Sequence, residues 1–113
     1  MLRPWLLCVW LVALCVTADI TAADPRPPAK GAVHTVVIEV MQYNPPELRV
    51  HRGERIVWVN KDLFPHTATS AAKAFDSGSI AADGSWSFMP RKAGSYPYGC
   101  TFHPTMKGTI TVQ

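Results

Sequence analysis

Apolar and polar residues alternate with a period of two through most of the chain after residue 31, the pattern of strands that bury one face. From Ala32 onward, Val36, Ile38 and Val40 share one parity and Thr35 and Glu39 the other. Asn44-Pro45-Pro46 interrupts that run, Glu47 to Val50 reads as a short strand, and Arg52-Gly53-Glu54 reads as a turn. Ile56-Val57-Trp58-Val59 is strongly β-prone and stops at Asn60. Asn60 to Pro65 has the composition of a loop, and His66 to Ser70 resumes a short strand; Ala71 to Ala74 fits either a helical turn or a loop. Phe75 to Ile80 and Ser85 to Met89 read as two strands around a turn at Asp83-Gly84, with Trp86 and Phe88 on one face. Gly94 opens a strand in which Tyr96, Tyr98 and Cys100 share a parity, and Thr109 to Val112 closes the chain. Seven to eight short strands with Gly/Pro/Asn/Asp punctuation predict an all-β fold, an antiparallel sandwich or barrel. Its expected core is Val36, Ile38, Val40, Leu48, Val50, Ile56, Trp58, Trp86, Phe88, Tyr96, Ile110 and Val112. Met41 and Met89 are expected to fill gaps in it.

The N-terminus follows a different pattern. Arg3 precedes 14 uncharged residues from Trp5 to Ala18, too few to span a bilayer comfortably but the right size for the apolar stretch of an export signal. Thr21-Ala22-Ala23 offers a cleavage site, with Val16-Thr17-Ala18 as a second candidate. An uncleaved anchor is the competing reading. A lipoprotein signal ending at Cys15 is weaker, because Leu14 is large for the position before a lipidated cysteine. Residues 1–23 are therefore expected to be a signal peptide, 24–31 a Pro-rich linker (Pro25, Pro27, Pro28) and 32–113 the folded domain. The expected location is the periplasm.

Export changes the meaning of the cysteines. Of the 3 in the chain, Cys8 and Cys15 leave with the signal, and Cys100 remains alone. A single thiol in an oxidising compartment cannot form an internal disulfide, which favours a metal-binding or catalytic role. Charge adds less: the net value is +3, and Arg49, Arg52 and Arg55 alternate with apolar neighbours as on a solvated strand face. No nucleic-acid stripe is indicated.

The chemistry is concentrated in Cys100-Thr101-Phe102-His103-Pro104-Thr105-Met106. A thiol, an imidazole and a thioether at Cys-x-x-His-x-x-Met spacing are soft and borderline ligands that suit copper. Parity puts Cys100 inward at a strand end, and a loop containing Pro104 and closed by Gly108 can fold the three side chains onto one centre. His66 is the best fourth candidate, since His34 borders a ragged strand start and His51 a charged turn. Two histidines, one cysteine and one weak methionine form the donor set of a blue-copper centre. A Cys100–His103 nucleophile pair and structural zinc are poorer fits. The first lacks an orienting Asn or Asp, and zinc sites ordinarily carry more cysteines and no methionine.

From about Val33 to Val112 the chain resembles the cupredoxins, the small type 1 blue-copper proteins. The resemblance rests on Met41-Gln42-Tyr43 with Pro46-Glu47-Leu48, Gly53-Glu54, Trp58-Val59-Asn60, Pro65-His66, Gly94-Ser95-Tyr96 and the run from Cys100 to Gly108. The short ligand spacing is most similar to the amicyanins; plastocyanins and pseudoazurins have longer ligand loops. The resemblance implies a Greek-key sandwich, one copper ion cycling between Cu(I) and Cu(II), and His66, Cys100, His103 and axial Met106 as metal ligands. It also implies a non-enzymatic electron carrier that meets a dehydrogenase or cytochrome at the His103 end, among Phe64, Phe102 and Pro104. A monomer without membrane insertion after cleavage is expected. A copper carrier or chaperone is the alternative function. Two positions depart from the family: Thr67 stands where an asparagine ties the ligand loops together, and Pro97 interrupts a strand. The Thr67 amide is expected to reach the Cys100 sulfur and its hydroxyl Thr101.

Overall fold

The computed structural model describes residues 31–113. The expected signal peptide, with Cys8 and Cys15, and all of the linker except Gly31 lie outside the described residues. Eight strands follow: β1 (Val33–Glu39), β2 (Gln42–Asn44), β3 (Glu47–Val50), β4 (Arg55–Asn60), β5 (Thr69–Ser70), β6 (Ser85–Phe88), β7 (Gly94–Gly99) and β8 (Lys107–Val112). They form two four-stranded sheets, ordered β2-β1-β4-β6 and β3-β8-β7-β5. Because the chain changes sheet at its corners, sheet neighbours are often not consecutive. Two of the pairings, β1 with β4 and β3 with β8, therefore run parallel, and the other four are antiparallel.

The inward parity of each strand supplies the core. Ile56, Trp58 and Asn60 on β4 are buried while their neighbours are not, and Val36 with Ile38, Val50, and Ile110 with Val112 do the same on β1, β3 and β8. Trp58 lies at the centre, with the Tyr98 ring edge-on at 5.5 Å and 83° and Phe75 and Trp86 tilted at 5.5 and 5.6 Å. Such aromatic pairs add about 0.5–1.5 kcal/mol each beyond their buried area. Tyr98 is packed so closely over β8 that a Cβ on Gly108 would stand 2.5 Å from its ring. Leu48, Trp86, Phe88 and Tyr96 are half-buried against this core.

Three expectations are corrected. Val40 was expected in the core but is 77 % exposed, because β1 ends at Glu39 and Val40-Met41 is a two-residue hairpin turn. Both turn residues have positive φ, 52° and 60°, which suits the right-handed twist of a hairpin but strains side chains other than glycine. Met41 is likewise at the surface rather than filling the core. Phe75 to Ile80 is not a strand: it makes only isolated bridges, Thr69 with Asp76 and His66 with Ile80, yet it buries Phe75 and Ile80.

Pro97 sits where its missing donor does least harm. A paired strand residue turns its N–H and C=O to the same neighbour. The Pro97 carbonyl accepts from the Ala71 amide at 3.0 Å, so the proline nitrogen faces the β5 side, immediately beyond the last residue of that strand.

Candidate metal centre

The first arm of the site begins at Asn60, a fully buried amide at the end of β4. Its Nδ2 donates to the Phe64 and Ile80 carbonyls at 2.7 and 3.0 Å, and its Oδ1 accepts from the Asp62 amide at 3.0 Å. Both its donors and one lone pair of its oxygen are thus spent on shaping the loop that delivers His66 and on tying it to Ile80. His66 then exchanges backbone hydrogen bonds with Ile80, at 3.1 and 2.7 Å, and its ring is entirely buried.

The second arm is the Cys100–Met106 loop. Cys100 lies one residue beyond β7, inward and buried as its parity predicts. The loop closes on itself: the Met106 amide donates to the His103 carbonyl at 2.9 Å and the Cys100 amide to the Met106 carbonyl at 3.4 Å. Gly99 permits that closure, since a Cβ there would stand 2.8 Å from the Met106 carbonyl oxygen. Met106 is buried and His103 half-buried.

The two arms bring three donors together. Nδ1 of His66 and Nδ1 of His103 each stand 3.8 Å from Cys100 Sγ, and one donor atom from each of these residues lies within 4.8 Å of the others. The imidazole rings are 4.9 Å apart at 60°. Metal–nitrogen bonds of about 2.0 Å and a metal–sulfur bond of about 2.3 Å, opened to 120°, separate nitrogen from sulfur by about 3.7 Å. The spacing fits one ion. Two imidazoles and a thiolate, with a methionine in the same loop, are the donor chemistry of copper.

The surroundings support the donors. The Thr67 amide donates to Cys100 Sγ at 3.3 Å. Its hydroxyl accepts from the Thr101 amide at 2.9 Å and lies 3.3 Å from the Thr101 hydroxyl, so it ties the two arms together as expected. The Tyr43 hydroxyl donates to the Thr67 carbonyl, and burial first, then the nearby Cys100 and Tyr98, push its pKa far above the ordinary tyrosine range. On the outer side, His66 Nε2 is 2.8 Å from Asp62 Oδ2. Burial opposes ionisation of Asp62, but the Met41 amide, the His66 ring and the Val40 amide outweigh it and hold the carboxyl below its usual range. The sequence assigned no role at the site to Tyr43, beyond its place in the Met41-Gln42-Tyr43 match, or to Asp62. The one available signal for Asp62 was an acid in the polar loop just ahead of His66.

Among the described residues, Cys100 is the one free cysteine. His34 and His51 lie outside the cluster, as expected, and both contact Glu54. Phe64 and Phe102 are 63 % and 52 % exposed, and Leu63 is exposed as well.

Comparison with known proteins agrees with this geometry. The family described as cupredoxin-like domain matches residues 5–112. An amicyanin of Paracoccus versutus is 32 % identical over 126 residues, covering 99 % of this chain and 96 % of the relative. An amicyanin of Paracoccus denitrificans is 30 % identical over 108 residues, covering 89 % and 82 %. A solved structure of an oxidised amicyanin variant superposes with a TM-score of 0.68 at 33 % identity, over 75 % of this chain and 85 % of that one. The chain belongs to the cupredoxin-like family, is not an enzyme, and has copper as its cofactor.

Proposed function

We propose that the protein is an exported, periplasmic carrier that moves single electrons between redox proteins through one type 1 copper ion. His66, Cys100, His103 and Met106 would hold it. The convergence of His66 Nδ1, His103 Nδ1 and Cys100 Sγ carries this reading. Residues 1–23 act as the signal peptide, 24–31 as linker and 32–113 as the copper domain. A metal-delivery role gains no support from the relatives above.

Bound copper supplies a centre that gains and loses one electron. This chain holds the donors so that neither state requires them to move. The His66 arm is fixed by Asn60 and by the bridge to Ile80, and the Cys100 arm by its own backbone hydrogen bonds. Burial of Cys100 and His66 excludes water, and the Thr67 amide occupies a lone pair of the sulfur. His103 is the half-buried ligand, bordered in sequence by exposed Phe102 and Pro104, and it is the port for electrons. A dehydrogenase or cytochrome docks there transiently, with the protein as a monomer. The test is Cu(II) loading of the purified domain. An intense visible absorption that Cys100→Ser abolishes supports the proposal, and its absence in the wild type overturns it.

A further inference from the structure

The Asp62 carboxylate gathers three donors from two parts of the chain. Oδ1 accepts from the Val40 amide at 2.7 Å, while Oδ2 accepts from the Met41 amide at 2.9 Å and lies 2.8 Å from His66 Nε2. Val40 and Met41 form the positive-φ turn between β1 and β2, 22 and 21 residues away in sequence. Asp62 is itself held by its amide on Asn60 Oδ1.

A neutral imidazole has one donor and one acceptor. If Nδ1 of His66 faces the metal, Nε2 must carry the proton, and in a ring with no exposure that proton needs an acceptor. Among the described residues, Asp62 Oδ2 is the partner within hydrogen-bond distance of Nε2. We propose that Asp62 is the positioning residue of the centre. It fixes the tautomer and rotation of His66, and it fastens that ligand to the strained β1–β2 turn. The inference rests on the reading of His66 as a copper ligand. An anion one ring away from the metal also favours Cu(II) over Cu(I), so Asp62 lowers the reduction potential.

The first measurement uses the metal-free wild-type protein, in which long-range proton–nitrogen NMR reads the tautomer of His66 directly. The expected result is one tautomer with the proton on Nε2; a proton on Nδ1 overturns the proposal. In Asp62→Ala the tautomers mix, and the Val40 and Met41 amides exchange with solvent faster. In copper-loaded Asp62→Asn, which keeps an acceptor oxygen but loses the charge, the Cu(I):Cu(II) ratio at fixed poise rises about tenfold, equivalent to about 59 mV for one electron. Asp62→Glu restores both signals. If Asp62→Ala does not fold, the wild-type tautomer and the Asp62→Asn potential decide. Variants that lose thermal stability but keep the wild-type tautomer and potential overturn the proposal and leave Asp62 a merely structural residue. The NMR arms need no copper, so a failure of the copper reading shows separately, as a missing visible absorption.

Discussion

Among the described residues there are two histidine–carboxylate contacts, and they do different things. His66 Nε2 meets Asp62 at 2.8 Å, with a ring that has no exposure. His34 Nε2 meets Glu54 at 3.2 Å, with a side chain 30 % exposed. Each carboxylate also accepts backbone amides: Val40 and Met41 for Asp62, His51 for Glu54 at 2.6 Å. The distinction is what the opposite ring nitrogen faces. For His66 it is Cys100 Sγ and the second imidazole; His34 belongs to no cluster of metal-binding groups among the described residues. Of the two histidines beside a carboxylate, only His66 has further candidate metal donors brought to its other ring nitrogen among the described residues.

The largest effect expected at the functional contact is from Cys100→Ser, which removes the shared sulfur. The visible absorption of the Cu(II) form disappears, while circular dichroism of the apo-protein stays that of a sandwich. Next comes Thr67→Val. It keeps the amide on sulfur but deletes the acceptor of the Thr101 amide, a donor on an exposed residue that water then takes over. Denaturant unfolding is expected to show a loss of about 0.5–1.5 kcal/mol, together with a shifted copper spectrum. If the spectrum does not move, the arms are held by the metal alone.

The other contact is expected to act on stability and not on copper. The His51 amide foremost, opposed by burial and aided by His34, holds the Glu54 carboxyl below its usual range. A carboxylate depressed in the folded state stabilises it above the unfolded pKa, near 4.3, and that contribution vanishes as pH falls through the folded value. Glu54→Gln therefore unfolds at a lower temperature than wild type at neutral pH, and the two melting curves converge in acid. Constant separation across the titration would show that packing, not charge, matters there. The smallest effect is expected from His34→Gln: within about 0.5 kcal/mol in stability and no change in the copper spectrum. A spectral change there would break the distinction between the two contacts.

Much of this was legible in the sequence because it is local. The Cys100–Met106 spacing is a property of one loop, and the inward parity of Trp58, Tyr98 and Cys100 is a property of single strands. The roles of the Thr67 amide and hydroxyl were expected from the cupredoxin resemblance, since Thr67 stands where an asparagine ties the ligand loops together. What escaped depends on contacts distant in sequence. Alternation records which face Val40 would occupy in a strand but not that the strand stops at Glu39; the amides of that turn are held from Asp62. Phe75 and Ile80 are apolar enough for a strand, yet the segment bends to bridge Thr69 and His66 and buries its ends without forming a ladder. Tyr43 is one residue of a three-residue strand, too short for any period to register.

Pro97 has a meaning beyond the fold. β7 runs for six residues but β5 covers it for only two, so the Gly94–Pro97 end of β7 has no strand beside it on that flank. Exposed backbone of that kind is a template on which a second chain can add a strand and begin to aggregate. A proline at the boundary deletes the donor an incoming strand would need first, and the charged Arg91 and Lys92 lie just upstream. The residue that removes one ladder donor thereby makes this edge a poorer template for a second chain.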